Sequence, residues 1–303
     1  MTAATANVGD TLKVNLSLYN VSNLYGLEVQ CAVDPKILTG VSHVTGAGFN
    51  DTNSFFVDSG YKADGSWNIG ASRLMPNPAI SGNVIAFSLN YTVKAVGTTP
   101  VICTVLGVNA NGYDVPMAVI NGLFNNPTGK VLPMIAAQVP TTSPTMVPMV
   151  VALAPKSGST IMGIVSYPGA ASNNNTGIVV AVFSGSTMVK QVNTDANGTF
   201  QLSGLPAGQY TVAWGASQAL PTQHTVVIPS DGQVIDLGTN LLAMGDTDNN
   251  GTIDLQDASL IAINFGVSAA DVPNADLNHD GKIDIYDLVV VGSNFGLTTP
   301  VIK

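Results

Sequence analysis

Apolar and polar residues alternate along several short segments in the first 126 residues. The clearest examples are the segments 11–18, 27–33, 84–93 and 101–106. Turn-forming residues separate them, as at Asp34-Pro35 and Asn111-Gly112. An alternation with a period of two is typical of strands buried on one face. Short strands at this spacing predict a two-sheet β-sandwich or jelly roll over residues 1–126.

The same kind of pattern returns between residues 159 and 242. The segments that carry it are 160–166, 177–183, 194–202 and 205–214. Glycine-containing turns lie in the last two of them, at Asn197-Gly198 and at Pro206-Ala-Gly208. We therefore predict a second, smaller β-sandwich, and a mainly β fold for the chain.

The segment 127–158 between these two regions is rich in proline. Proline at this density excludes helices and central strands and favours an extended, semi-rigid spacer. The stretches 134–137 and 146–153 are nevertheless too apolar for a freely solvated tether. Either they pack on the flanking domains, or one of them adds as a strand to a neighbouring molecule.

One twelve-residue pattern occurs twice near the C-terminus, at 246–257 and, 30 residues later, at 276–287. Each copy has oxygen-bearing side chains at loop positions 1, 3, 5, 9 and 12, with glycine at position 6 and isoleucine at position 8. Loops of this kind wrap a hard cation, because carboxylate and amide oxygens converge and position 7 lends its carbonyl. The repeat predicts two calcium sites.

A short apolar helix is expected after each loop, at 257–265 and 287–295, with an acidic residue in its first turn and a glycine beyond its end. The residues before the first loop are too few for the entering helix of a true EF-hand. The C-terminal segment 243–303 is therefore predicted to be a small helical module built from two loop–helix units.

The net charge of −9 is concentrated in this module, since nine of the 19 acidic residues are aspartates between Asp246 and Asp287. This distribution indicates a metal partner and excludes nucleic acid, which requires clustered basic residues. No apolar run approaches the length of a membrane span. The first residues lack a signal-peptide pattern, which fits a cytoplasmic chain or a secreted chain without its leader. Because the loops require calcium, we expect an extracellular or cell-surface location.

Residues 8–14, 20–29 and 33–38, with the later segments 83–89 and 94–97, resemble a cohesin domain. The resemblance implies that the strands carrying Cys31 and Cys103 are neighbours. Both cysteines share the alternation of the buried positions around them. A cross-strand disulfide and a pair of buried thiols remain alternatives.

The middle segment, 159–242, resembles a carboxypeptidase regulatory-like or collagen-adhesin B-type domain through its two turns and the segment 205–214, and we expect it to act as a spacer. The C-terminal repeat, with aspartate at position 12, resembles a dockerin. That resemblance implies one structural Ca²⁺ in each loop. The implied ligands are Asp246, Asp248, Asn250, Thr252 (carbonyl), Asp254 and Asp257 in the first loop, and Asp276, Asn278, Asp280, Lys282 (carbonyl), Asp284 and Asp287 in the second.

The dockerin resemblance also implies a partner-binding surface at loop positions 10 and 11 and at helix positions 17 and 18. These positions hold Leu255, Gln256, Ala262 and Ile263 in the first copy, and Ile285, Tyr286, Gly292 and Ser293 in the second. The pairs common in cellulosomal dockerins are absent and the copies differ from each other, so the partner is not identified. The apolar pair Leu255 and Ile285 still suits a protein interface.

The sequence holds no recognisable catalytic constellation. Glu28 is the only glutamate, the three histidines fall in three different segments, and no nucleophile-elbow, phosphate-loop or zinc pattern occurs. We therefore predict a non-catalytic assembly protein that associates with copies of itself or acts as an adaptor between other proteins. The alternative is a carbohydrate-binding surface protein, with Tyr61 and Trp67 as a stacking platform; a buried core tryptophan is the competing interpretation of Trp67.

Overall fold

The structure, a computed structural model, describes residues 6–50, 52, 54–119, 121–126, 158–169 and 174–303. The chain divides into two compact units, Met1–Pro140 and Thr141–Lys303. The predicted proline-rich spacer lies outside the described residues, apart from Gly158 at its end. The two alternatives for its apolar stretches, packing on the flanking domains or adding as a strand to a neighbouring molecule, therefore also concern residues outside the described ranges.

Nine strands are described in the first unit. They are β1 (Thr11–Leu24), β2 (Gly26–Ala32), β3 (Leu38–Thr45), β4 (Ser54–Tyr61), β5 (Ser66–Arg73), β6 (Ile80–Val93), β7 (Gly97–Val108), β8 (Asp114–Val115) and β9 (Gly122–Asn126). One sheet has the order β1-β6-β3, and the other has the order β4-β5-β2-β7-β8, with β9 also paired to β7.

The hydrophobic core of this unit is made by residues from both sheets. Leu16 and Phe87 come from the first sheet, and Leu27 and Trp67 come from the second. Along β2 the inward residues alternate with Glu28 and Gln30, as the sequence pattern requires. The predicted mainly β fold and the N-terminal sandwich are confirmed.

Two central strands of the second sheet, β2 and β7, carry the two cysteines. Cys31 is the direct antiparallel partner of Cys103, with their Cα atoms 4.1 Å apart. The two sulfur atoms form a disulfide, which joins residues 72 positions apart in the sequence. The bond therefore links neighbouring strands of one sheet.

The described part of the second unit contains ten strands and two α-helices. The strands are β10 (Ser159–Ser166), β11 (Val179–Ser184), β12 (Thr187–Asn193), β13 (Thr199–Leu205), β14 (Gly208–Gly215), β15 (Ala219–Leu220), β16 (Thr222–Ile228), β17 (Val234–Leu241), β18 (Ala243–Met244) and β19 (Val301–Ile302). The helices are α1 (Leu255–Ile263) and α2 (Ile285–Ser293), with a 3₁₀ turn at Pro273–Ala275.

The two larger sheets of this unit have the orders β13-β10-β17 and β12-β11-β14-β16-β19. The buried residues Ile161 and Phe200 belong to the first of these sheets, and Val212 and Trp214 belong to the second. The described strands β10–β14, β16 and β17 of these two sheets make up a β-domain within residues 159–242.

The loop–helix segment is attached to this β-domain at both of its ends. Before the first loop, β18 pairs with β15 in a two-stranded sheet. After α2, β19 adds parallel to β16, so that Val301 lies opposite Thr222. The β-domain and the C-terminal module therefore belong to one compact unit.

Both helices begin two residues earlier than the sequence pattern suggested. The side chains of Asp254 and Asp284 accept hydrogen bonds from the amides of Gln256 and Tyr286 and so cap α1 and α2. In each helix the aspartate at loop position 12 completes a capping box. The end of the loop and the start of the helix therefore share residues. None of the helices described is long and apolar enough to cross a membrane.

Candidate functional site

The first loop brings three carboxylates together. Asp246, Asp248 and Asp257 each offer one carboxylate oxygen, and these oxygens all lie within 4.8 Å of one another. Three negatively charged groups at this separation repel one another unless a positive charge lies between them. The cluster is therefore a candidate cation site built only from hard oxygen donors.

Backbone amides hold both loops in the same shape. In the first loop the amides of Asn250 and Gly251 donate to the two carboxylate oxygens of Asp246, at 2.9 and 3.0 Å. In the second loop the amides of Asp280 and Gly281 donate to Asp276 in the same way, at 3.2 and 3.1 Å. The glycines have φ of +86° and +91°, a region that favours glycine, which explains position 6 of the pattern.

The aspartate at position 12 closes each loop from inside. Asp257 Oδ1 accepts the amide and the hydroxyl of Thr247, at 2.8 and 2.9 Å, and its Oδ2 accepts the amide of Asp254 at 2.8 Å. Asp287 Oδ1 accepts the amide of Leu277 at 2.7 Å, and its Oδ2 accepts the amide of Asp284 at 2.9 Å. Both aspartates are fully buried, so each holds the two ends of its loop together.

Loop positions 3, 5 and 7 are joined by the same series of hydrogen bonds in both loops. In the first loop, Asp248 accepts the amide of Asn250, and Asn250 accepts the amide of Thr252, at 3.0 and 2.8 Å. In the second loop, Asn278 accepts the amide of Asp280, and Asp280 accepts the amide of Lys282, at 3.1 and 2.9 Å. The two twelve-residue segments thus fold into equivalent loops.

The electrostatics of the loops favour a bound cation. Burial raises the pKa of Asp246 and Asp276, and burial raises the pKa of Asp287 well above its usual range. A raised pKa means that the ionised carboxylate is disfavoured in its present surroundings. A divalent cation between the ligands offsets this cost and favours the ionised carboxylates. The donor set therefore fits a hard divalent cation such as Ca²⁺.

The expected partner-binding positions are exposed in the first copy. Leu255 is 55% exposed and Ile263 is 81% exposed, although both are large apolar residues. Gln256 is also exposed, and Ala262 is half-buried. This part of α1, which we call the α1 face (Leu255, Gln256, Ala262 and Ile263), carries no charge.

The corresponding positions of the second copy differ from the expectation. Ile285 and Gly292 are buried, whereas Tyr286 and Ser293 are half-buried. Ile285 is therefore unavailable as the second half of an apolar pair with Leu255. The reason is the packing of α2, in which seven of nine residues are buried, against three of nine in α1.

The suggested carbohydrate platform is not present. Trp67 is only 3% exposed and its indole nitrogen donates to Asp58 Oδ1 at 2.7 Å. Tyr61 is half-buried, packs edge-on against Trp67, and donates its hydroxyl to the carbonyl of Leu38 at 3.0 Å. Trp67 is a core residue, so it cannot stack on a sugar in this conformation.

Two contacts in the structure could not be predicted from the sequence. His43 Nδ1 lies 2.7 Å from Asp58 Oδ2 and links β3 of one sheet to β4 of the other. Tyr167, after β10, packs against His279 in the second loop with ring centroids 4.3 Å apart. In each case the tertiary structure brings the partners together, and no sequence motif or spacing predicts the pair.

Comparisons with known proteins find similarity in the N-terminal segment. The family described as the Cohesin domain matches residues 1–125. A search of curated proteins finds no match. The chain is similar to a solved type II cohesin–X–dockerin complex, a C-terminal interface mutant from Acetivibrio cellulolyticus, with 27% identity over 47% of this chain and 98% of that chain and a TM-score of 0.40. It is also similar to a non-cellulosomal cohesin from Archaeoglobus fulgidus, with 18% identity over 43% and 88% and a TM-score of 0.35.

Proposed function

We propose, on the premise that residues 1–125 form a cohesin domain and so a non-catalytic protein-interaction module, that this chain is an extracellular, calcium-dependent assembly protein. The cohesin domain is one docking end. The dockerin-like module at 243–303 is the other, and two bound Ca²⁺ hold its loops and helices in place. The single observation that carries the proposal is the repetition of one hydrogen-bonded loop, with three converging carboxylates in its first copy, in a chain that also contains a cohesin domain.

Calcium supports docking because ligands and helix share residues. Asp254 and Asp257 are proposed ligands and also form the capping box that starts α1. An ion that orders these two residues therefore orders the first turn of the helix as well. The α1 face follows directly, so its presentation depends on the first loop.

One of the similar structures contains both kinds of docking end. The complex from Acetivibrio cellulolyticus is one between a cohesin and an X-dockerin segment. We propose that the cohesin domain of this chain accepts a dockerin-type partner, and that the C-terminal module docks on a cohesin-type partner. If the two ends are complementary, copies join head to tail, and such a contact extends into a filament when it does not close into a ring. If they are not, the chain is an adaptor between two other proteins.

Light scattering after size exclusion tests self-assembly on the full chain. In Ca²⁺ we expect the mass to grow with protein concentration, and in EGTA we expect a monomer. The double variant Asp246→Ala/Asp276→Ala, which removes the first ligand of both loops, should stay monomeric in Ca²⁺.

Other outcomes have defined meanings. A monomer in both conditions removes self-assembly and leaves the adaptor role, which then requires calcium-dependent binding to a separate cohesin. Assembly that is equal in Ca²⁺ and EGTA, or unaffected by the double variant, contradicts calcium-dependent docking. The carbohydrate-binding alternative has lost its structural support with the burial of Trp67.

A further inference from the structure

The two loops, although equivalent in sequence, have different surroundings. The second loop touches the β-domain of its own unit: the ring of Tyr167 lies against the ring of His279 at 4.3 Å between centroids and an interplanar angle of 50°. The side-chain amide of Asn174 also donates to the carbonyl oxygen of His279 at 3.2 Å. These partners are more than 100 residues away in sequence, so the β-domain braces this loop from outside.

His279 occupies a sensitive place in the loop. It is position 4, between the proposed ligands Asn278 and Asp280, and its φ is +59°, in the left-handed region. Fixing the ring and the carbonyl of His279 fixes the peptide groups on both sides of it. The side-chain oxygens of Asn278 and Asp280 are thereby held near their places before any cation arrives.

The first loop has no such contact at its position 4 among the described residues; the β-domain touches it instead at its first residue, where the amide of Asp246 donates to the carbonyl of Gln218 at 3.1 Å. Its position 4 is Asn249, which has nearly the same φ, +58°, but an exposed side chain. Position 3 is the exposed Asp248 in the first loop and Asn278, only 1% exposed, in the second. The helices that follow the loops differ as well. Most residues of α2, after the second loop, are buried, whereas most residues of α1, after the first loop, are not.

We propose that Tyr167 and His279 are positioning residues that make the second loop the tighter calcium site, and that the first loop is the weaker site that controls the α1 face. This inference rests on the proposed binding of calcium by both loops. Binding to a flexible loop costs the entropy of ordering it, and a braced loop has already lost that freedom. Rigidity of this kind is one of the features that set the affinity of calcium loops. As calcium rises, the second loop fills first, and the α1 face becomes ordered when the first loop fills.

Calcium titration calorimetry on single-site variants of the full chain tests the proposal. Asp246→Ala disables the first loop and leaves the second to be measured, and Asp276→Ala leaves the first. We expect tighter binding in Asp246→Ala than in Asp276→Ala. In the Asp246→Ala background, Tyr167→Ala should weaken binding about threefold to tenfold, the usual worth of one aromatic contact. Tyr167→Phe keeps the ring and should restore the affinity.

Matched variants separate the brace from general damage. His279→Asn introduces the residue of the first loop, which tolerates the positive φ, and should weaken only the second site. Asn249→His adds an imidazole at the exposed equivalent position and should leave the first site unchanged. Thermal melting in saturating Ca²⁺ verifies that each variant is folded.

The outcomes keep the two proposals apart. If neither single-site variant binds Ca²⁺, the proposed calcium-dependent function fails together with this inference. If both single-site variants bind Ca²⁺ but Tyr167→Ala weakens the two sites equally, only the inference is overturned. The same holds if Tyr167→Ala weakens neither site. Tighter binding by the first loop than by the second also overturns it.

Discussion

At the scale of single residues, the aspartate at loop position 12 combines three roles. Asp287 is fully buried, accepts the amides of Leu277 and Asp284 on its two oxygens, and completes the capping box at the start of α2. Burial raises its pKa, so its charge is costly until a cation compensates it. Asparagine at this position would keep one acceptor oxygen and would carry no charge to balance a cation.

We expect Asp287→Asn to reduce calcium binding at the second loop by at least about tenfold, since even the loss of an outer-shell partner typically costs about 10- to 100-fold. The amide nitrogen would also face a backbone donor, at a cost of about 1–3 kcal/mol. Calorimetry and the rise in Tm on adding Ca²⁺ measure both effects. Asp271→Asn, at an exposed aspartate that is no proposed ligand, is the control. An unchanged rise in Tm would contradict the ligand role.

At the scale of elements, the sequence predicts α1 and α2 equally well but does not show which helix exposes its expected partner-binding positions. Leu255 and Ile285 occupy the same loop position and are both apolar, yet one is 55% exposed and the other is buried. The apolar pattern of the sequence marks both residues as candidates for burial. The packing of the module decides which of them is covered by other elements. The strands of the N-terminal β-sandwich were predictable for the opposite reason, because both of its sheets bury one face in a single core.

The exposed α1 face yields a prediction at this scale. Leu255→Asp and Ile263→Asp place a charge in the proposed contact, and each should weaken calcium-dependent docking about tenfold or more, as removal of a central apolar contact commonly does. Both residues are exposed, so the Tm in Ca²⁺ should change little. Val234→Asp, at an apolar residue that is 66% exposed on β17, is the matched control. Light scattering measures the association, and normal assembly by both α1 variants would exclude this face.

At the scale of the whole molecule, the sequence separates the β-domain from the C-terminal module more sharply than the structure does. The strands that join them, β18 and β19, are only two residues long. Two residues are too few to show a periodicity, so the sequence pattern does not predict these strands. Tyr167 and His279 are likewise 112 positions apart and belong to no common motif. The middle β-domain, expected to be a spacer, is therefore also a support for the C-terminal module.

Charge leads to a last prediction about how copies would join. The segment 1–126 has seven acidic and five basic residues, and the segment 243–303 has nine aspartates and two lysines. Two bound Ca²⁺ reduce the formal charge of the latter from −7 to −3, so both docking ends remain negative. Their long-range electrostatic interaction is repulsive, and the uncharged α1 face must supply the attraction through apolar and hydrogen-bonded contacts. Raising the salt from about 50 to about 500 mM screens the repulsion, and association in saturating Ca²⁺ should stay constant or strengthen. Light scattering at both salt concentrations measures this, and association that weakens tenfold or more would instead show that ion pairs dominate the contact.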